Sequence, residues 1–341
     1  MSILRDIHRV IEYLASGLGI TLNSLLFYMI VTCKVPGMKQ YNIILLQTCS
    51  LDFLLLFAHA IGGPMVAEAE GVQFAINNGI FRQSSIQVRF LLWDFWATCN
   101  FLTMTGISVE FVYRYLLLCH NRTISLKLYL LLFGGAVIGA MAFGLNGWMG
   151  YYLAGKNDTV KAESSLGWIL ADDNEKVGAA GAIAHGTLQC YIAVFVAVLL
   201  SFGSYSIIAY CTWKIYAFMK KNEYKFSKSV RKVNRDLNKM LFVQAACPII
   251  SYVLPIGIFA IGLFFPAVPM GIPGFICSLA LSWGPVGNAA SILLLVTAYR
   301  RKLISLITCN PTIYSNKIYS QNTRSTNYNA SHNNSQLEGR A

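Results

Sequence analysis

The chain has 341 residues, of which 55% are hydrophobic and 12% charged, about half the share of charged residues in a typical soluble domain. So much apolar surface cannot be hidden inside one water-soluble core, so lipid must be its second solvent, and the chain reads as a polytopic membrane protein. Its net charge of +12 then marks the loops that stay in the cytoplasm, and no nucleic-acid partner is expected.

Seven apolar runs are long enough to cross a bilayer as helices that satisfy their own backbone. The first, from Ile11 to Cys33, follows a short external N-terminus over residues 1–10 and contains Gly17, Gly19 and Asn23 as close-packing positions. It is too long for a signal-peptide core and lacks an Ala-x-Ala exit, so it is expected to be retained. The second runs from Ile43 to Val66 and has Asp52 near its middle, with His59 further along. Asn23 is placed to reach Asp52 as an amide partner, although a purely structural polar contact explains the pair equally well. His59 has no ligand-spaced companion and reads as a satisfied core histidine.

The third run, Phe90 to Cys119, carries Trp93, Asp94 and Trp96 near one end, with Glu110 and Arg114 near the other. Glu110 and Arg114 are spaced i, i+4 with the acid first, the favourable order for a helical ion pair. Either they simply neutralise one another, or Glu110 holds Arg114 in a resting state until neighbouring helices move. The fourth run is Leu126 to Tyr152, followed by a long loop from Leu153 to Gly186 in which Asn157 begins a glycosylation acceptor, and the fifth is Thr187 to Trp213.

The sixth run, Leu241 to Phe265, contains Pro248 and Pro255, which exclude a straight helix. Pro266, Pro269 and Pro273 make a tight turn into the seventh, Met270 to Ala298, which has a further weak point at Trp283-Gly284-Pro285. Residues 299–309 mix basic and apolar side chains as a short interfacial amphipathic helix would, ending at Cys309, which is either a palmitoylation site or a free thiol. The polar tail over 310–341 is expected to be disordered.

Lys and Arg are divided unevenly, with 19 on the side of the even-numbered gaps and the C-terminus and 7 on the other side. That bias places the N-terminus outside and the C-terminus in the cytoplasm. The nine cysteines lie in or beside apolar stretches without CxxC spacing. No disulfide framework, metal site or cofactor is written in the sequence.

In order and topology these residues resemble the rhodopsin-type G-protein-coupled receptor plan, and more closely the nematode serpentine chemoreceptors of class delta. The carriers are Gly19 to Asn23, Val35 to Leu46 running into Asp52, Tyr113-Arg114-Tyr115, Gln244, Pro248 and Pro255, then Pro285, Asn288, Tyr299 and Arg300. The resemblance spans about residues 10 to 305 and implies an all-α seven-helix bundle. It also implies a receptor, not an enzyme, that binds an environmental small molecule or peptide and activates a heterotrimeric G protein. Location would be the plasma membrane of sensory-neuron cilia, with pairing into a receptor dimer left open.

By that resemblance Arg114, flanked by Tyr113 and Tyr115, engages the G protein or a resting-state lock, while Asn23, Asp52 and Asn288 form a central polar network. The sequence departs from the plan in several places. Tyr113 stands where the plan has an acid, so a lock would use Glu110 or Asp236, and helix seven reads Gly-Pro-Val-Gly-Asn in place of Asn-Pro-x-x-Tyr. The usual disulfide between helix three and the second external loop cannot be written, because residues 120–189 lack Cys; Cys99 and Cys190 are nearest but fall within helices.

The loop from Lys214 to Lys239 includes Lys221, Lys225 and Lys228, which would border a cytoplasmic cleft opened as helix six pivots near its prolines; the positive-inside signal alone also accounts for the charge. Trp93, Asp94, Trp96 and Tyr252 are the candidate ligand contacts, although aromatic anchoring in the headgroups explains the tryptophans equally well. Residues 270–298 lack a Lys to hold retinal.

Two other classes compete. A seven-helix ligand-gated channel of inverted topology is opposed by the charge count, and a transporter would be expected to show repeated halves, which the sequence lacks. An intramembrane hydrolase would need a His-Glu-x-x-His or Gly-x-Ser-x-Gly motif, and neither occurs.

Overall fold

The computed structural model describes residues 3–33, 39–69, 72–120, 125–165, 180–222, 239, 242–247, 249–265 and 271–308. Lys225, Lys228, Asp236, Pro248, Pro266, Pro269, Cys309 and the tail fall outside these residues.

Helix α1 covers Ile3–Thr32, starting well before the expected Ile11. Its buried stripe explains why the apolar run misjudged its start, since Arg5, His8, Glu12, Ser16 and Asn23 all point inward at helical spacing. Val10, Leu14, Leu18, Phe27 and Val31 point outward. Water-facing amphipathicity is thus inverted, as expected when the outer solvent is hydrocarbon and polar side chains pair in the bundle.

Helix α2 (Lys39–Gly62) ends earlier than the expected Val66. Gly63 has φ of 51° and leads straight into strand β1 (Pro64–Ala69), which pairs antiparallel with β2 (Val72–Asn77). Asn78 N donates to Gly63 O at 2.8 Å and Gly79 N to Gly62 O at 3.0 Å, closing the hairpin onto the helix end. A Cβ on Gly63 would run into the backbone of Asn78 and Gly79, so both the dihedral and the space require glycine.

Helix α3 (Ile86–His120) is the central helix and packs against the second, fourth and fifth spans. Helix α4 (Leu126–Ser165) approaches it closely at Gly144 and Gly147. Strand β3 (Gly181–Ala184) joins β2 antiparallel, with Phe74 opposite Ala182, completing a three-stranded sheet in the order β1-β2-β3. This sheet does not follow from the apolar pattern, in which only Pro64, Met65 and Val66 fall within an expected run, and there as the end of helix two. Helix α5 (Leu188–Lys221) starts with Thr187 accepting from Cys190 N, and presents Tyr191, Phe195, Leu199 and Phe202 outward.

Helix six is broken by a π-helical turn over Ile249–Val253, after which α6 (Leu254–Phe264) begins with Pro255 in its first turn. Val253 before it is itself helical, so Pro255 lies where the π turn passes into α6, and its missing N–H leaves a carbonyl of that turn without an internal bond. Helix seven likewise divides into α7 (Gly271–Ser282) and α8 (Gly284–Leu295), bent by 41° around Trp283, with Pro285 in the first turn of α8. Helix α9 (Thr297–Ile307) follows, and its Tyr299 is buried against Leu26, Cys33 and Cys49.

Six helices are long and apolar enough to cross a membrane, and seven if the bent pair is one span, among the described residues. The sheet caps one end of the bundle, where Val66 N donates to Ser278 Oγ at 3.0 Å and so joins β1 to α7. Arg114 lies at the opposite end.

Candidate functional site

The Arg114 end is organised by one buried cation. Arg114 is 1% exposed, with Nη1 donating to Gln244 Oε1 at 2.7 Å and Nη2 lying 3.6 Å from Glu110 Oε2. Its guanidinium carbon stands 5.8 Å from the Phe111 ring centre. Glu110 also accepts from the Thr48 hydroxyl of α2. Helix three is therefore joined to helix two through the carboxylate and to helix six through the guanidinium. Charges this deep are retained only when paired and hydrogen-bonded.

The flanking tyrosines point elsewhere. Tyr113 is buried edge-on to Tyr129 of α4, with ring centres 6.2 Å apart, and Tyr129 in turn donates to Gln47. Tyr115 faces Tyr210 of α5 and contacts His120 Nε2 at 3.1 Å. Lys221 is exposed in the last turn of α5.

Midway along the bundle, Asp52 is 1% exposed and its Oδ2 accepts from Asn288 Nδ2 at 2.8 Å. Asn23 does not take Asp52 as the hydrogen-bond partner expected for it. Its Nδ2 donates to the Gly19 carbonyl at 3.1 Å and to the Pro285 carbonyl at 3.4 Å, while Oδ1 accepts from Cys49 Sγ at 3.7 Å. The bend at Trp283 carries the Pro285 carbonyl toward helix one, so Asn23 and Asp52 secure helix seven at two different levels. Tyr252, 3% exposed in the π-helical turn, packs against Gly284 at the same bend.

Below the sheet lies a cavity of about 110 Å³. Trp93, Trp96, Asn100 and Phe101 of α3 form one wall, Phe143 of α4, Ala197 of α5 and Phe259 of α6 form others, and Val66, Gln73 and Ile183 roof it from the three strands. Asp94 is not among the lining residues, because it lies on a different face of α3 from positions 93, 96, 97 and 100. Its Oδ1 stands 2.9 Å from where a Cβ on Gly147 would sit, in the seam with α4. Tyr252 does not line the cavity either.

A second buried polar chain touches this cavity. Trp96 Nε1 donates to His59 Nε2 at 3.1 Å, and His59 Nδ1 lies 2.9 Å from Glu12 Oε2. Because the indole can only donate, Nε2 must accept and the proton sits on Nδ1. His8 Nε2 stands 3.7 Å from the other Glu12 oxygen. His59 is thus a satisfied core histidine, as its isolation in the sequence suggested, but its partner Glu12 escaped notice. The spacing Arg5-His8-Glu12 is the available signal, and a helix expected to start at Ile11 divides it between the external N-terminus and the first span. At the roof, burial pushes the Glu68 carboxyl up to about 7, partly opposed by the hydrogen bond it accepts from Gln73 Nε2 at 2.6 Å.

Cys99 and Cys190 are free, like the other cysteines among the described residues. No cluster of metal-ligating side chains occurs among the described residues. The side chain of Asn157 lies outside the described ones.

Residues 9–305 match the family model for the serpentine type 7TM GPCR chemoreceptor Srd. The chain belongs to this serpentine chemoreceptor family. A G-protein coupled receptor of Caenorhabditis elegans, str-33, is 24% identical over 325 residues, covering 89% of this chain and 91% of that protein. The fold of the Srd chain is similar to the crystal structure of squid rhodopsin, with a TM-score of 0.61 and 10% identity over 90% of this chain and 85% of rhodopsin. The Srd chain is therefore a multi-pass membrane protein with a seven-transmembrane receptor fold, as the order of its polar residues implied.

Proposed function

We propose that this Srd-family chain is a G-protein-coupled chemosensory receptor of the plasma membrane, situated in sensory-neuron cilia, with its N-terminus outside and its C-terminus in the cytoplasm. A small molecule in the cavity under the sheet favours a state in which helix six leaves Arg114 and a heterotrimeric G protein enters the opened cleft. The observation that carries this reading is that helix six serves both ends. Phe259 lines the cavity, and Gln244, from the same span, holds Arg114. Between them lies the π-helical turn, a local irregularity of the kind at which a helix changes direction.

The mechanism runs through three contacts. Ligand displaces the aromatic walls, Tyr252 transmits the shift to the Gly284 bend of helix seven, and the Gln244 bond to Arg114 breaks, exposing a cation to the G protein. Lys221, in the last turn of α5, biases the cleft toward acidic G-protein surfaces, and Lys225 and Lys228, which lie outside the described residues, add positive charge to the same loop. A volume of about 110 Å³ favours a small molecule over a peptide.

The test is nucleotide exchange by G protein in membranes containing the receptor, challenged with a panel of small organic compounds. A compound that stimulates the wild type should lose at least about tenfold in potency against Ala197→Phe, which fills the cavity with an aromatic ring, while surface expression persists. An undiminished response in that variant removes the cavity from the mechanism.

A further inference from the structure

The cavity under the sheet is not enclosed, and the burial of its lining locates the opening. The lining residues of the strands, α3 and α7 are all buried, among them the roof of Val66, Gln73 and Ile183. Those that are not buried are Phe143 of α4, Val194 and Val198 of α5, and Ile256, Phe259 and Ala260 of α6. Val198 is 51% exposed and lines the cavity at the same time, so the wall there is one side chain thick.

Two seams adjoin these residues, and the one between α4 and α5 is closed. A Cβ on Gly139 would stand 3.0 Å from Leu200 Cδ2, and one on Gly150 would stand 3.1 Å from Gln189 Cβ, so the two helices touch on both sides of Phe143. Helices five and six are instead joined at well-separated levels. The Tyr191 and Phe264 rings meet at the outer end, with centres 6.0 Å apart, and Ala245 packs against Ile208 and Cys211 toward the other end. Val198 and Ala260 lie between these levels, and the opening is there. It is at hydrocarbon depth. Val198 stands about 15 Å along α5 from Leu188, among Phe195, Leu199 and Phe202, which point out of the bundle. A bilayer offers no water at that depth.

None of the described lining residues is ionisable, so a charged compound would be desolvated in the cavity without a counter-charge. The volume of about 110 Å³ is of the order of cavities that hold a single benzene ring. On the reading that this cavity is the receptor's ligand site, we infer that the ligand is a neutral lipid-soluble compound of about single-ring size that enters from the bilayer between helices five and six, past Val198. The buried roof closes the direct path from water, so a solute that does not dissolve in lipid is excluded by its route as well as by the lining. Entry also brings the ligand against helix six, the span whose Gln244 holds Arg114.

The experiment uses the full chain in lipid nanodiscs with Trp148→Phe, Trp168→Phe, Trp213→Phe and Trp283→Phe, so that Trp93 and Trp96 in the cavity wall are the remaining indoles. Bromobenzene that reaches the cavity quenches them, and stopped-flow mixing and dilution read its entry and exit. The part of the quenching lost in the cavity-filled Ala197→Phe receptor is taken as specific, which removes collisions from the surrounding lipid. Val198→Phe, which narrows the mouth, should slow entry and exit together by about tenfold while the final extent of quenching is kept. Val198→Ala, which widens it, should speed both. Acrylamide, a neutral quencher that stays in water, should leave Trp93 and Trp96 unquenched.

If the phenylalanine turns inward and lowers the extent of quenching, the alanine variant decides by itself. If the tryptophan replacements prevent folding, exchange of fluorobenzene followed by fluorine NMR reads the same two rates in the native chain. Rates that change in neither Val198 variant, quenching by acrylamide, or no specific quenching by bromobenzene overturns the inference. Nucleotide exchange separates it from the receptor reading. Rates that respond at Val198 without exchange in response to any compound leave the route standing and sink the receptor reading. Exchange whose onset is the same in wild type and both Val198 variants does the reverse.

Discussion

Arg114→Ala abolishes ligand-driven nucleotide exchange, bringing it to the level of membranes without receptor. The expectation rests on where the guanidinium sits, 2.7 Å from Gln244 and 3.6 Å from Glu110, at the point where helices three and six must part. Alanine alone would leave Glu110 as a buried carboxylate without its cation, a change that costs about 3 to 5 kcal/mol in comparable buried pairs. The measurement therefore includes Arg114→Ala with Glu110→Gln, which keeps a partner for Thr48 and removes the stranded charge. That double variant should reach the surface at near wild-type levels, counted by an epitope at the N-terminus, and still fail to drive exchange. Arg114→Lys should also fail, since a point charge on a flexible stem does not reproduce the guanidinium fork. Normal exchange by the double variant would show that the cation has no part in coupling.

Gly284→Ala lowers stability by about 1 to 3 kcal/mol, the range seen when a methyl is forced into a packed core. The added Cβ would lie 2.5 Å from Tyr252 Oη and 2.9 Å from its Cζ, where a rigid ring fills the inside of the helix-seven bend. Removing the hydroxyl should relieve much of this, so Tyr252→Phe should recover a large part of the loss when added to Gly284→Ala. Thermal unfolding of the four receptors in detergent, followed by fluorescence, gives the coupling directly. Strictly additive effects would mean that Tyr252 does not bear on the bend and would break the proposed route from cavity to Arg114.

The apolar runs coincide with the helices because a backbone inside lipid must satisfy its own hydrogen bonds, and a run of about 20 residues does so as a helix. What they could not show is structure that does not depend on an apolar face. Helix one starts at Ile3, with Arg5, His8 and Glu12 buried inward, and polar residues such as Arg5 and His8 carry no apolar signal that would extend the run before Ile11. The sheet strands Pro64–Ala69 and Val72–Asn77 are six residues each, and the first merges with the apolar end of helix two.

The candidate site divides in a similar way. Arg114, Glu110 and Asp52 stand out in the sequence because a charge inside a span demands a reason, whereas Asn288 enters through the resemblance. Their partners were visible only where spacing within one helix could show them, as for Glu110 and Arg114. Gln244, Thr48 and Glu12 lie on other helices, and the bend at Trp283 redirects Asn23 to a backbone carbonyl that no sequence pattern announces. Trp93 and Trp96 both line the cavity, whereas Asp94, adjacent to them in sequence, is turned by the helix toward α4.

The receptor mechanism depends on which end of the bundle faces the cell exterior. Glycan mapping in cells, comparing wild type with Asn157→Gln, combined with protease added outside, tests this most directly. The account predicts a glycan on Asn157 and a tail beyond Asn310 that is protected from external protease, which puts the sheet and cavity outside and Arg114 in the cytoplasm. An unglycosylated Asn157 with a tail cut from outside would invert the molecule, place Arg114 away from any G protein, and contradict the receptor mechanism.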